Sequence, residues 1–186
     1  MRAVLVDAPE SLLEERRLLG LDKIDECWDG EWHLVNPPKR WHGRLNTDLL
    51  HVLIPLARAV GLAPYGDATG VFGAENNWRV PDQTYARAED ETDDGVIGAQ
   101  LVIEIRSMGD ESYQKLPFYA ARGVTEVLII HQDRRFELRR LGGHDQYAVV
   151  EPGPDGTTTS TVLPVALQTV AGPALRVTWA TGSSEV

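Results

Sequence analysis

Two apolar runs of strand length, Leu101 to Ile105 and Val127 to Ile130, constrain this chain more than any other feature. Between them lies Asp110 to Arg122, a segment of helical pattern that closes at Gly123. Strand, helix and strand in that order make a βαβ unit, with parallel strands and a right-handed crossover. Val127-Leu-Ile-Ile130 shows no polar alternation, so it belongs in the middle of a sheet with both faces covered. Pro117 falls inside the helical segment, where it either starts the regular helix near Leu116 or kinks its first turn.

The first run carries a charge, as Leu101-Val-Ile-Glu104-Ile-Arg106. A carboxylate buried in an apolar strand is unfavourable unless it is paired or binds a metal. Alternate strand residues share a face, so Val102, Glu104 and Arg106 point one way and Leu101, Ile103 and Ile105 the other. Glu104 and Arg106 can therefore form a plain ion pair at a sheet edge. Pro81-Asp82 offers a second carboxylate at the end of a strand-like run. An Asp after Pro is common in functionally silent turns. Two strand carboxylates meeting beside a cation are also what holds a divalent metal against a phosphodiester.

Elsewhere the pattern predicts a short helix over 10–19 stopped by Gly20, and a hairpin from Glu26 to Val35 turning at Asp29-Gly30. Leu45, Leu49, Leu53, Leu56 and Val60 form one face of a long helix from His42 to Val60, with Gly61 as its C′ residue. A second hairpin, Val71 to Ala74 with Asn77 to Val80, delivers the chain to Asp82. Strands at 135–141 and 146–150 open a C-terminal meander, and the tail from Thr181 to Val186 is expected to fray.

One domain over 1–186 is expected at this length: helix and hairpin in 1–36, core in 37–141, meander in 142–180 and tail in 181–186. The formal charge of −10 argues against nonspecific coating of nucleic acid but leaves room for a local basic groove. Positive residues cluster at Lys39-Arg40, Arg134-Arg135 and Arg139-Arg140, whereas Glu89 to Asp94 reads as a solvated acidic loop. Cys27 is alone, which disfavours a disulfide or structural zinc and suits a reducing cytoplasm. The N-terminal apolar stretch is short for a signal peptide, and Arg58 interrupts the longest apolar region, so no membrane span is expected. The Walker, nucleophile-elbow and zinc-protease motifs are absent from the sequence.

The run from Glu104 to Glu126, preceded by Pro81-Asp82 and by Pro37-Pro-Lys-Arg-Trp-His42, resembles the Uma-two family of restriction-type endonucleases within the PD-(D/E)xK nuclease superfamily. The likeness extends from about Leu19 to the C-terminal meander. It implies an α/β (α+β) fold with a restriction-endonuclease-like core: a mixed central sheet flanked by helices, an N-terminal hairpin and a C-terminal β meander. It also implies a DNA endonuclease in which Asp82, Glu104 and the main-chain carbonyl of Ile105 bind Mg²⁺ or Mn²⁺.

The superfamily's basic pattern has Lys two residues after the Glu. Here Arg106 stands at that position, a poor general base that can still bind phosphate. The resemblance moves the cation to Lys115, which by spacing alone could instead pair with Glu111 at i−4. Met108, where the family often has Pro, and the short segment between Glu104 and Lys115 depart from the usual pattern. His42 continues the helix stripe backward and reads as a core histidine, or, since the family also has a His here, as a support for the site or a phosphate contact. Tyr113 and Tyr119 are candidates for shaping the site. Superfamily members often pair two active sites to cut two strands, which makes a homodimer the analogous expectation. The competing reading is a catalytically inactive binding or regulatory domain with the same fold.

Overall fold

The computed structural model describes residues 3–186; Met1 and Arg2, where the N-terminal reading began, lie outside the described residues. In chain order the first half contains β1 (Ala3–Leu5), α1 (Glu10–Leu18), β2 (Glu26–Trp28), β3 (Glu31–Leu34), α2 (Arg40–Ala59) and β4 (Ala63–Tyr65). Then come β5 (Gly70–Phe72), β6 (Trp78–Arg79), β7 (Gln83–Ala86), β8 (Gly95–Val96) and β9 (Leu101–Ile105). The βαβ unit is completed by α3 (Leu116–Ala121) and β10 (Glu126–Ile130), and followed by β11 (Phe136–Leu141) and β12 (Tyr147–Val149). The chain ends with β13 (Thr158–Thr159), β14 (Ala166–Val170), β15 (Ala174–Trp179) and β16 (Gly182–Glu185).

The central sheet has the order β12-β11-β10-β9-β7-β4, with β9 and β10 parallel and its other pairs antiparallel. All five residues of β10 are buried, as expected of an apolar run without alternation. Alternation along β9 assigns its two faces. Leu101, Ile103 and Ile105 pack with Leu45, Leu49 and Leu53 of α2 and with Leu167, Leu175 and Val177 of the C-terminal strands. Val102 packs on the other face with Phe118 and Tyr119 of α3 and with Val71 and Val96 of the N-terminal sheet. That second sheet has the order β1-β3-β2-β6-β5-β8.

The long helix forms as its stripe predicts. Gly61 at φ 79° takes the left-handed C′ position, its N–H donating to the Arg58 carbonyl while the Leu62 N–H reaches Ala57. Both hairpins form, and the turn between β2 and β3 places Asp29 and Gly30 at φ 52° and 94°.

Four readings are corrected. The helix expected over Asp110 to Arg122 is confined to the six residues of α3, because Pro117 fits the first helical turn and not the interior; 112–115 forms a turn. β4 and β7 are additional central strands, and β7, Gln83-Thr-Tyr-Ala86, is wholly buried despite its two polar residues. The strand at Tyr147–Val149 extends the central sheet, so the separate meander begins only at Thr158. The expected frayed tail is instead β16: it pairs with β15 from Arg176↔Glu185 to Trp179↔Gly182, and Val186 exchanges two backbone hydrogen bonds with Leu175.

Candidate metal centre

The antiparallel register of β7 on β9 pairs Gln83 with Ile103 and Thr84 with Val102. Continued by one position, it sets Asp82 opposite Glu104, which is why residues far apart in sequence meet. Asp82 stands where the chain enters the central sheet, and its Oδ2 accepts a hydrogen bond from the Ile105 N–H at 2.6 Å. Glu104 is 4% exposed and shares the β9 face that packs against α3. Both residues, with Ile105, His42 and Lys115, line a cleft of about 400 Å³. One wall of that cleft is 35–39 and the N-terminus of α2; the other is the loop from Ser107 to Ser112.

Lys115 immediately precedes α3 and is 3% exposed. Its ammonium donates to Glu104 Oε1 and Oε2 at 3.0 and 3.1 Å, and lies 2.7 Å from Glu26 Oε1. The Tyr119 hydroxyl, one helical turn on, donates to Glu104 Oε1 at 2.6 Å. Burial pushes the Glu104 carboxyl up to about 7; Lys115 pulls it down, while the negative charges of Asp82 and Glu26 push it further up. Burial and the Glu104 charge also raise the Tyr119 phenol, keeping it a donor.

His42 and Asn46 occupy the end of the α2 stripe that meets the cleft, and both are buried. His42 Nε2 lies 2.9 Å from the Ile105 carbonyl and 3.2 Å from Asp82 Oδ1. Both partners accept, so Nε2 carries the proton. Burial lowers the affinity of His42 for a second proton, but Asp82 and the Ile105 carbonyl outweigh it and its pKa is raised. Asn46 accepts from Gln83 Nε2 at 2.7 Å and donates to Asp67 Oδ1 at 3.2 Å. The strand entry at Asp82 is thereby tied to α2.

Of the sequence candidates, Asp82, Glu104, Ile105, Lys115, His42 and Tyr119 converge. Arg106 and Tyr113 lie outside this group. Arg106 follows the last residue of β9, its Nε donates to Asp110 Oδ1 at 3.1 Å, and its guanidinium sits 4.7 Å over the Tyr113 ring. The Tyr113 hydroxyl donates to Glu137. Glu26 was not among the candidates. In a hairpin with a two-residue turn nothing local marks a glutamate as buried, yet Glu26 is 1% exposed, where β6 pairs with β2 and Lys115 contacts its carboxylate.

Among the described residues no three His, Cys, Asp or Glu side chains form a ready-made metal cage. Two carboxylates and a carbonyl are instead an all-oxygen donor set, the kind that holds Mg²⁺ or Mn²⁺ while leaving positions for water and substrate. Glu26 and Glu104 share one ammonium, and the Asp82 charge also acts on Glu104, so the negative charge here favours an added cation. The residues present fit such an ion.

A parallel βαβ unit inside a mixed sheet, with acids at the β7–β9 junction, defines a nuclease-type α+β fold. A solved structure shares it: a nuclease described as putative, of the DUF820 group, from Anabaena variabilis, with a TM-score of 0.58 and 15% identity over 77% of this chain and 86% of that one. The sequence model of the Uma2 family, described as "Putative restriction endonuclease", matches residues 16–177, and the chain belongs to that family. No curated protein matches it. Among the described residues no helix is long and apolar enough to cross a membrane.

Proposed function

We propose that this protein is a Mg²⁺- or Mn²⁺-dependent endonuclease that hydrolyses phosphodiester bonds in DNA. The observation that carries the reading is the meeting of Asp82 and Glu104 on the floor of one cleft, with the Lys115 ammonium in contact with Glu104. Asp82, Glu104 and the Ile105 carbonyl would hold the ion. When bound, the ion supplies a nucleophile by acidifying water and offsets charge on the leaving oxygen.

The chain's own residues prepare the rest. The Ile105 N–H and His42 Nε2–H hold the Asp82 carboxylate toward the strand end, while Tyr119 fixes one oxygen of Glu104. Lys115 presents a positive charge to the scissile phosphate and stabilises the charge that builds on its oxygens. Its ammonium is bracketed by two carboxylates, Glu26 and Glu104. Because the whole protein is acidic, DNA must engage locally at the cleft rather than through a broad basic surface.

The closed Lys115–Glu104 pair also suits a catalytically inert binding domain, and plasmid nicking separates the two readings. With Mg²⁺ or Mn²⁺ the parent should nick supercoiled plasmid, and Asp82→Ala and Glu104→Ala should each lose at least about 100-fold in rate. Equal nicking by parent and variants would sink the proposal.

A further inference from the structure

Glu26 and His33 face each other across β2 and β3, and each holds one residue of the segment that carries Lys115. Glu26 Oε1 lies 2.7 Å from Lys115 Nζ, and His33 Nδ1 lies 2.9 Å from Glu111 Oε2. Glu111 and Lys115 are four residues apart, and the Lys115 N–H donates to the Glu111 carbonyl at 3.2 Å, so the segment makes one helical turn there. A cross-strand pair thus grips an i, i+4 pair.

The grip is rigid on the hairpin side. Trp28 Nε1 donates to Glu26 Oε2 at 2.9 Å, and the Val80 N–H donates to Oε1 at 3.0 Å. The Trp28 indole stacks on His33 with ring centroids 4.0 Å apart and an interplanar angle of 15°. The gripped segment, in contrast, is reached through an exposed loop in which Met108 is 99% exposed and Gly109 sits at φ 77°. Within that loop Asp110 accepts from the Ser107 N–H, the Ser112 N–H and Ser112 Oγ, which orders the backbone, while Glu26 contacts the Lys115 head group directly.

We propose that Glu26 and His33 are positioning residues for Lys115: the hairpin keeps the ammonium in place when a divalent cation occupies Glu104. This rests on the nuclease reading given above. An ion at Glu104 would compete for the oxygens that Lys115 contacts at 3.0 and 3.1 Å, whereas the 2.7 Å contact to Glu26 is made to a different carboxylate and would remain. His33 acts one step back, by fixing the turn that begins at Glu111.

Glu26→Gln tests this. In Mn²⁺-supported cleavage kcat should fall roughly 10- to 100-fold while KM stays within about threefold. In a Lys115→Met background Glu26→Gln should lower kcat little further, because its effect on the reaction runs through Lys115. A second readout needs no activity. The chain has three lysines, Lys23, Lys39 and Lys115, so ¹⁵N-lysine labelling gives three ammonium sites. The buried, ion-paired Lys115 should show a slowly exchanging ammonium signal that Glu26→Gln abolishes. Should Glu26→Gln fail to fold, His33→Asn should weaken the same signal and lower kcat to a lesser extent. Parent-like kcat with an unchanged Lys115 signal would overturn the proposal, as would full additivity with Lys115→Met. If the parent cuts no DNA, the nuclease reading fails separately and the ammonium signal still decides the grip.

Discussion

Replacing Glu104 by Gln should stabilise the ion-free protein at alkaline pH, because this carboxylate is held where burial and like charges oppose its ionisation. Its pKa rises from 4.5 to about 7, so between those values the native state binds a proton that the unfolded chain has lost. Stability therefore falls as pH rises through that window. Each decade of proton affinity is worth about 1.4 kcal/mol, so ionised Glu104 disfavours the native state by about 3 kcal/mol at pH 8. Gln keeps an oxygen for the Tyr119 hydroxyl, and Lys115 keeps Glu26. Part of the gain is given back with the Glu104–Lys115 contact, leaving about 1–3 kcal/mol, or about 3 to 10 °C in Tm for a chain of this size. Thermal unfolding by circular dichroism with chelator present should show this gain at pH 8 and lose most of it at pH 5. Mg²⁺ at a hundred times its Kd should stabilise the parent by about 2.7 kcal/mol and the variant little. A Glu104→Gln protein less stable than the parent at pH 8 without metal would refute the reasoning.

Other perturbations probe the scaffold. Glu126 is fully buried and accepts from Arg140 at 2.7 Å, Ser160 Oγ at 2.5 Å and Thr161 N at 3.0 Å, tying the C-terminal segment to β10. Burial raises its carboxyl, but these donors outweigh it and hold the pKa below the ordinary value, so its stabilisation is present at neutral pH and lost as pH falls through the native value. Glu126→Gln should lower urea stability at pH 7 by about 3–5 kcal/mol, and the gap should narrow toward pH 3. Arg79 lies 4.2 Å from both the Trp28 and Phe118 rings and donates to the Cys27 carbonyl at 3.0 Å. Arg79→Met should destabilise by about 2–4 kcal/mol in thermal melts, since it removes both ring contacts and the charge-assisted hydrogen bond to the Cys27 carbonyl.

What was legible beforehand follows from which forces act locally. The apolar run at Val127 to Ile130 had to be central, the Leu45–Leu49–Leu53 stripe had to face a core, and Asp29-Gly30 had to turn. The meeting of Asp82 and Glu104 depended on β7, which the sequence hides: Gln83 and Thr84 look like loop residues, and the buried Gln83 amide is satisfied by Asn46 of α2 and by the Tyr85 hydroxyl. Glu26 was invisible for the same reason, its partners lying 54 and 89 residues further along the chain at Val80 and Lys115. The tail reads as polar and frayed, yet Ser183 and Ser184 pair with β15, and Arg176 holds Glu185 at 2.7 Å. Arg106 matched a motif position but follows the last residue of β9, where Asp110 captures its side chain. Tertiary pairing, which no local pattern encodes, decided the cases of Asp82 and Glu26, whereas those of the tail and Arg106 turned on neighbours close in sequence.

The central claim is that Asp82 and Glu104 hold a divalent cation. Isothermal titration of the parent with Mn²⁺, beside Asp82→Asn and Glu104→Gln, tests it most directly. The account predicts one site in the parent and a loss of at least about tenfold in affinity in each variant. Parent-like Mn²⁺ binding by Glu104→Gln would contradict it.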